Sequence, residues 1–320
     1  MAAPEVITSA WIDEQLSETY ERLAIRPGLL QSLAGIYERR WWPESYTFQH
    51  MAALAAREAL AHADVAASEV DLLISTSVSK HHLEPSVACA VHNELGLAPT
   101  CANFDLGNAC LGFINAMHVA AMAIETGQAR TVLIVDGEGS RYTQRVTIER
   151  LQQPSATPSD LFSQFASLTL GSGAAAMVMG GPRTGAHTFL GGVTRAATQH
   201  HDLCVGDLEQ MRTDTAGLLF GGLALAQATY ETARDEGWRW SDCDQYVIHQ
   251  ISAVHTAKIS ELLQLDAAKV PLTFPLFGNM GPAAVPYTLS TVADQLVAGD
   301  RVLLMGIGSG LNCSIAELVW

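Results

Sequence analysis

The stretch FDLGNACLGFINAMHVAAMAIETG, residues 104–127, places a cysteine, Cys110, where a Gly-Asn turn opens an almost wholly apolar helix. Two readings of that thiol stand side by side. A buried cysteine is usually a small hydrophobe. A thiol at a helix N-terminus sits in the positive end of the macrodipole, which favours thiolate. The flanks of the stretch bear on the fold. VDLLISTS (70–77) precedes it, and ARTVLIVDG (129–137) follows the glycine that ends it. Both flanks are apolar runs bounded by turn residues, the pattern of buried strands.

The same order recurs further along the chain. CDQYVIHQ (243–250) precedes a turn with Gly278-Asn279, then a helical pattern, Gly299 and DRVLLMGIG (300–308). Gly107 to Gly127 spans 20 positions and Gly278 to Gly299 spans 21. Each closing glycine suits a helix C-terminus, where a left-handed residue is tolerated. The repetition of strand, Gly-Asn turn, helix, Gly stop and strand reads as an internal duplication. Strands are expected at 71–76, 131–136, 174–179, 245–250 and 302–307. Helices are expected at 49–64, 111–126, 217–236, 253–264 and 284–298. Such alternation is α/β. The most loop-like stretch is QQPSATPSD (152–160). The Gly- and Pro-rich GGPRTGAH (180–187) divides the chain into halves 1–182 and 183–320.

Composition narrows the class. The 320 residues are 48% hydrophobic and only 16% charged, which supplies a large core and argues against disorder. Lys and Arg total 18 against 33 Asp and Glu, a net charge of −15. That sign repels nucleic acid and anionic lipid surfaces. The six cysteines form no CxxC pair and match no zinc spacing. No basic region followed by an apolar run opens the chain, and no uninterrupted apolar segment is long enough for a membrane span. A reduced, cytoplasmic, globular protein with no metal or bound cofactor is the expectation.

In a duplicated α/β unit, groups at the C-terminal ends of parallel strands face one crevice. Cys110 and Asn279 then occupy equivalent turns, and His249 ends the strand equivalent to 71–76. Cys110 could act as a nucleophile. His249 could shuttle a proton or donate to an oxyanion, although a lone histidine ending a strand is more often a core or cap residue. Asn279 could be a neutral donor to the same oxyanion or a plain turn residue. GIGSGLNC (306–313) follows a strand without a phosphate-binding helix after it. An oxyanion hole from the N–H groups of Cys110 and Ser309 is its stronger reading. In YERRWWPE (37–44), Arg39, Arg40, Trp41 and Trp42 combine guanidinium and indole groups that could take phosphates and an adenine, or form an amphipathic surface segment.

Together, GNACLGF, VIHQIS, FGNMGPAAVP and GIGSGLNCS resemble the thiolase superfamily, and within it the 3-oxoacyl-(acyl-carrier-protein) synthase III group. The resemblance spans nearly the whole chain. It implies a duplicated five-layer α/β/α/β/α fold, a homodimer, Cys110 as acyl-accepting nucleophile, and His249 and Asn279 as donors to the enolate or carbonyl oxygen. The family normally opens with a strand before the segment resembling APEVITSAWIDEQL, which stands at the start of this sequence; an exposed sheet edge is the expected consequence. Two motifs depart from the decarboxylating members. His249-Gln250-Ile251-Ser252 stands for His-Gln-Ala-Asn, and Gly278-Asn279-Met280-Gly281 for Gly-Asn-Thr-Ser. SVSKHHLEPSVACAVHNELG (77–96), LFSQFASLTLGSGAAAMVM (161–179) and the C-terminal GIGSGLNCSIAELVW resemble the OleA-type subfamily. Those enzymes join two fatty acyl-CoA molecules head to head without losing carbon dioxide.

That reaction needs a base for a weakly acidic α-proton. Glu84 matches the glutamate that the subfamily inserts into the partner subunit's site; a solvated loop carboxylate is its bland reading. The resemblance implies fatty acyl-CoA as substrate and downstream hydrocarbon-pathway enzymes as partners. It also implies two apolar tunnels, and Phe113, Ile114 and Met117 of the helix at 111–126 either line one or pack in the core. The competing activities are decarboxylative 3-oxoacyl-carrier-protein synthesis, transfer of the acyl group to another acceptor, and a non-catalytic subunit that only holds acyl chains. Arg39, Arg40 and Trp41 are the expected coenzyme A mouth.

Overall fold

Both expected strand pairs form, and each becomes part of a four-stranded sheet. The structure is a computed structural model and describes residues 1–183 and 185–320; Thr184, in the break at 180–187, lies outside them. The described residues form twelve strands: β1 (Glu5–Thr8), β2 (Glu38–Trp41), β3 (Leu72–Ser75), β4 (Ala102–Asp105), β5 (Thr131–Glu138), β6 (Gly173–Gly180), β7 (Thr188–Ala196), β8 (Cys204–Gly206), β9 (Met211–Thr213), β10 (Gln245–Ile248), β11 (Arg301–Gly308) and β12 (Asn312–Val319). One sheet runs β4-β3-β5-β6 and the other β10-β11-β12-β7. β3 lies parallel to β5, as β10 lies parallel to β11. β6 and β12 then add antiparallel in the same place of each sheet. The chain passes from one sheet to the other between β6 and β7.

Side chains alternate across a strand, so each sheet has two apolar faces to cover. Leu72 and Ile74 of β3 and Val132 and Ile134 of β5 face inward, as do Val247 of β10 and Val302 and Leu304 of β11. Between these faces lie the helices Gly112–Glu125 and Ala284–Val292, which contribute Phe113, Ile114, Met117, Val285 and Leu289 to one core. A helix covered on both sides must be apolar nearly all round, which is why the opening stretch reads as it does. The outer face of the first sheet, with Leu73, Leu133 and Val135, takes the helices Phe48–His62 and Val87–Leu95. The outer face of the second, with Tyr246, Leu303 and Met305, takes Thr215–Asp235 and Ala253–Leu262. The layers are α/β/α/β/α.

Several elements differ from the sequence expectation. β4, β7 and β12 and the helices Val87–Leu95, Arg141–Gln152 and Pro158–Thr169 are additional. The stretch at 152–160 is only partly loop. Thr157 caps the helix that follows: its hydroxyl accepts from Asp160 N–H at 3.2 Å while Asp160 accepts from Thr157 N–H at 2.9 Å. That reciprocal pair, with Pro158 at the first turn, is a helix start. GIGSGLNC is a hairpin between β11 and β12. On the outer edge of β6, Met1 N donates to Ala174 O at 2.7 Å and accepts Ala174 N–H on its carbonyl at 2.9 Å, so the first residues cover part of the expected exposed edge. No helix among the described residues is long and apolar enough to cross a membrane.

Candidate active site

Cys110 lies on a tight turn two residues before the first residue of the helix Gly112–Glu125. Leu111 N–H donates to Asn108 O at 3.0 Å and Gly112 N–H to Ala109 O at 3.1 Å. Ala109 takes a left-handed φ of 44° to close the turn. Asn108 is clamped from both ends of its amide. Its Nδ2 donates to Asn115 Oδ1 at 2.6 Å, and its Oδ1 accepts from Asn312 Nδ2 at 3.2 Å. The β11–β12 hairpin, which carries Ser309, sits against this turn. A Cβ on Gly308 would stand 3.1 Å from Asn108 O, so a glycine is what lets the two backbones approach.

His249 follows β10 directly, and its N–H donates to Met305 O of β11 at 2.7 Å. The ring is buried, and neither ring nitrogen has a hydrogen-bond partner. Burial, reinforced by His255, lowers its pKa to about 4, so the imidazole is neutral near pH 7. Gln250 beside it donates to Pro271 O at 2.6 Å and accepts from Thr273 N–H at 2.9 Å. It thereby ties the histidine to the segment that leads to Asn279. Ser252 caps the next helix and contacts His255 Nδ1 at 2.9 Å.

Asn279 sits on an elbow made by Gly278, whose φ is 67° and whose Cβ would stand 2.7 Å from Thr169 O. Asn279 N–H donates to Thr169 O at 2.9 Å, and its carbonyl accepts from Gly171 N–H at 2.8 Å. Its side-chain Oδ1 accepts from Gly281 N–H at 2.9 Å. That bond assigns the amide: oxygen toward Gly281, nitrogen free to donate.

Cys110, His249, Asn279 and Ser309 line one cavity of about 1210 Å³, larger than the ~300–1,000 Å³ of an ordinary ligand site. Its apolar walls come from Phe162, Phe165 and Ala166 of Pro158–Thr169 and from Leu218, Leu219 and Leu223 of Thr215–Asp235. Phe113, Ile114 and Met117 are not wall residues; they are buried between the two sheets. Burial pushes the Cys110 thiol up to about 12, and Cys204, Glu138 and Asp136 act in the same direction. Desolvation and negative neighbours therefore outweigh the helix terminus, and Cys110 is held as a thiol where the sequence pointed to thiolate.

The expected coenzyme A mouth does not form as a mouth. Arg39 is fully buried, its terminal nitrogens donating to Ser9 Oγ at 3.0 Å and Leu168 O at 3.1 Å. Trp41 is buried and donates to Gln144 Oε1 at 2.6 Å; Trp42 donates to Glu138 O at 3.1 Å. Arg40 pairs with Glu38 at 2.5 Å and lies 5.2 Å over the Phe277 ring. The segment is β2, and its alternation turns Arg39 and Trp41 inward beneath the site. Among the described lining residues, Lys80 alone carries a permanent cation.

Glu84 does not line this cavity. It is exposed on the loop before Val87–Leu95, and that helix is docked on β4 through Val87 and Ala88 N–H groups, which donate to Asp105 at 3.0 and 2.9 Å. Two buried carboxylates of β5 escaped the sequence reading. Glu138 lines the cavity and Asp136 lies fully buried two residues earlier on β5. Burial raises both, Glu138 to about 7, against hydrogen bonds that pull the other way. An acidic pair closing a buried strand was the available signal.

Comparison with known proteins places this architecture. The acyl-CoA:acyl-CoA alkyltransferase of Xanthomonas campestris is 45% identical over 99% of this chain and 96% of its own length. The protein of the same name from Shewanella oneidensis is 34% identical, with coverage of 99% and 96%. A crystal structure of a cysteine-to-serine variant of Xanthomonas campestris OleA, with bound lauric acid and lauroyl-CoA, superposes with a TM-score of 0.97 over 100% of this chain and 96% of that one. The chain belongs to the OleA family of the thiolase superfamily. Models of 3-oxoacyl-(acyl-carrier-protein) synthase III match residues 104–152 and, for its C-terminal part, 233–320. Those two segments of this OleA-family chain carry Cys110, and His249 with Asn279. Other solved structures of the Xanthomonas protein replace a glutamate or a histidine.

Proposed function

We propose that the protein condenses two fatty acyl-CoA molecules head to head, without decarboxylation, to a 2-alkyl-3-ketoacyl-CoA. The observation that carries this reading is the meeting of Cys110, unpartnered neutral His249 and the oriented amide of Asn279 on one large apolar cavity. The Cys110 sulfur attacks the first thioester carbonyl as its proton passes to His249. The N–H groups of Cys110 and Ser309 hold the oxyanion, and protonated coenzyme A leaves. A carboxylate then removes the α-proton of the second acyl-CoA. His249 and Asn279 hold the enolate oxygen while its carbon attacks the Cys110 thioester and the cysteine thiol is released.

Glu84 is the proposed base, acting in the site of a second copy. Its exposure, its place outside its own cavity and its loop's lead into the helix docked on the end of β4 support that. No strand among the described residues pairs with the outer edge of β4, and Phe104 on that strand is 40% exposed. In the Xanthomonas protein the replaced glutamate stands the same number of positions before the replaced cysteine as Glu84 before Cys110. Six free cysteines fit a reducing cytoplasm.

The test is incubation with a long-chain acyl-CoA alone, followed by mass spectrometry of protein and products. Acylated Cys110 with a doubled-chain β-keto product or its ketone is the expected result. Acylated Cys110 that yields product only after a malonyl thioester is added would overturn it in favour of decarboxylative chemistry. No adduct at all would favour a binding subunit.

A further inference from the structure

Glu138 is buried, polar and cavity-lining, yet the proposed reaction does not use it. Its carboxylate is spent on one short segment. Oε1 accepts from Val78 N–H at 2.6 Å and from Ser79 N–H at 3.4 Å. Oε2 accepts from Ser79 N–H at 3.3 Å and from the Ser79 hydroxyl at 2.5 Å. The neighbouring pairs continue the same zipper: Thr76 Oγ1 donates to Asp136 Oδ2 at 2.5 Å, and Ser77 Oγ accepts from Gly137 N–H at 2.9 Å. Past Ser79 this hydrogen-bond zipper ends; His81 stacks on Phe48 with ring centroids 4.4 Å apart, and residues 80–85, Glu84 among them, are exposed.

We propose that Glu138 is a positioning residue for the second half-reaction: by holding Val78 and Ser79 it sets the root from which the Glu84 loop projects toward the partner's site. This rests on the reading of Glu84 as a base that crosses between subunits. A carboxylate suits the task because it accepts from two backbone N–H groups and a hydroxyl at once. A glutamine of the same shape offers one oxygen, and turns an NH₂ toward donors. The loop root would lose part of its anchorage while Cys110 and Asn279 keep their own supports, Asn108, Asn115 and Asn312 for one and Thr169, Gly171 and Gly281 for the other.

The experiment uses single-turnover acylation and steady-state condensation on Glu138→Gln, then a mixed dimer purified with two tags. Glu138→Gln, which also removes a negative neighbour that raises the Cys110 thiol, should acylate Cys110 at least as fast as wild type but condense roughly 10²-fold more slowly, as a small misplacement of a reacting group does. Ser79→Ala, which keeps the buried carboxylate, should shift condensation the same way by about tenfold and carries the test if Glu138→Gln fails to fold. The mixed dimer of Glu138→Gln with Cys110→Ser should regain condensation. Its one working cysteine receives Glu84 from the chain whose Glu138 is intact.

A Glu84→Ala/Cys110→Ser dimer is the control. If that control stays inactive, the cross-subunit reading fails and this inference with it. If the control is active and the Glu138→Gln/Cys110→Ser dimer is not, Glu138 acts within its own site and the inference alone is overturned. Loss of acylation in Glu138→Gln would overturn it as well.

Discussion

Asn312 donates to Asn108 across 3.2 Å and a sequence separation of 204 residues. One amide thus joins the C-terminal hairpin to the turn that carries Cys110. Asn108 passes the constraint on, donating to Asn115 one helical turn into Gly112–Glu125. The residue it precedes, Ala109, is held at a φ of 44°, a conformation that costs an alanine about 1–2 kcal/mol. The clamp offsets part of that strain and aims the thiol.

Asn312→Ala should therefore loosen the thiol more than it unfolds the protein. A lost hydrogen bond of this kind is worth about 1 kcal/mol. Acylation of Cys110 is expected to slow by roughly tenfold, with a change of only a few degrees in Tm. Unchanged acylation kinetics in the variant would show that the turn holds itself.

His249 makes a prediction about pH. Its folded pKa is about 4 against an ordinary 6.5, so the ring is neutral throughout pH 5–8. The histidine-dependent part of acylation should be flat across that range; an inflection near 6.5 would mean that the ring titrates normally. The stability sign follows. Between pH 6.5 and 4 the unfolded chain takes up a proton at this residue and the folded chain does not. His249 thus withdraws stability as pH falls through that window, by about 3 kcal/mol when complete. Glu138, raised from 4.5 to about 7, acts oppositely and withdraws stability as pH rises from 4.5 to 7. Between pH 4.5 and 6.5 the two slopes oppose each other, so His249→Asn should remove the histidine slope and leave stability rising as pH falls from 7 to 4.5 through Glu138.

The fold was legible in sequence because its chemistry is repetitive. Two apolar helices between Gly-Asn turns and Gly stops, each flanked by apolar strands, define the sandwich core. Cys110, His249, Asn279 and Ser309 were legible because strand ends and turns converge in such a fold. Arg39 and Trp41 were misread because a guanidinium and an indole look alike in sequence whether they greet a ligand or pack inward. Only the packing of β2 against Gln144 and Leu168, far along the chain, decides which face of ERRW is buried. β4, β7 and β12 lack the clean apolar run of a central strand, and Glu138 was lost inside a strand that the pattern ended two residues early.

Arg39 offers a check on that correction. Arg39→Ala removes donors to Ser9 Oγ and Leu168 O and empties a fully buried site. A loss of about 2–4 kcal/mol is expected for a buried group of this kind. Thermal melts should show it, while KM for acyl-CoA in the folded fraction stays within about twofold. A large rise in KM without loss of stability would restore Arg39 as a coenzyme A contact.

Asn279 separates a structural role from an electrostatic one by the order of two variants. Asn279→Ala removes both the bond accepted from Gly281 and the free donor. Asn279→Asp keeps the acceptor for Gly281 N–H but replaces the donor with negative charge, close to Glu138, whose carboxyl carbon lies 3.6 Å from where a Gly281 Cβ would stand. If the side chain serves the elbow, aspartate should be the milder change. If it donates to an enolate oxygen, aspartate should be the more severe, because it repels the charge that develops there. Condensation is expected to fall about 10²–10³-fold in Asn279→Ala and further in Asn279→Asp, with Cys110 acylation little altered in the alanine variant. The reverse order in single-turnover condensation would make Asn279 a turn residue and leave the enolate to His249 alone.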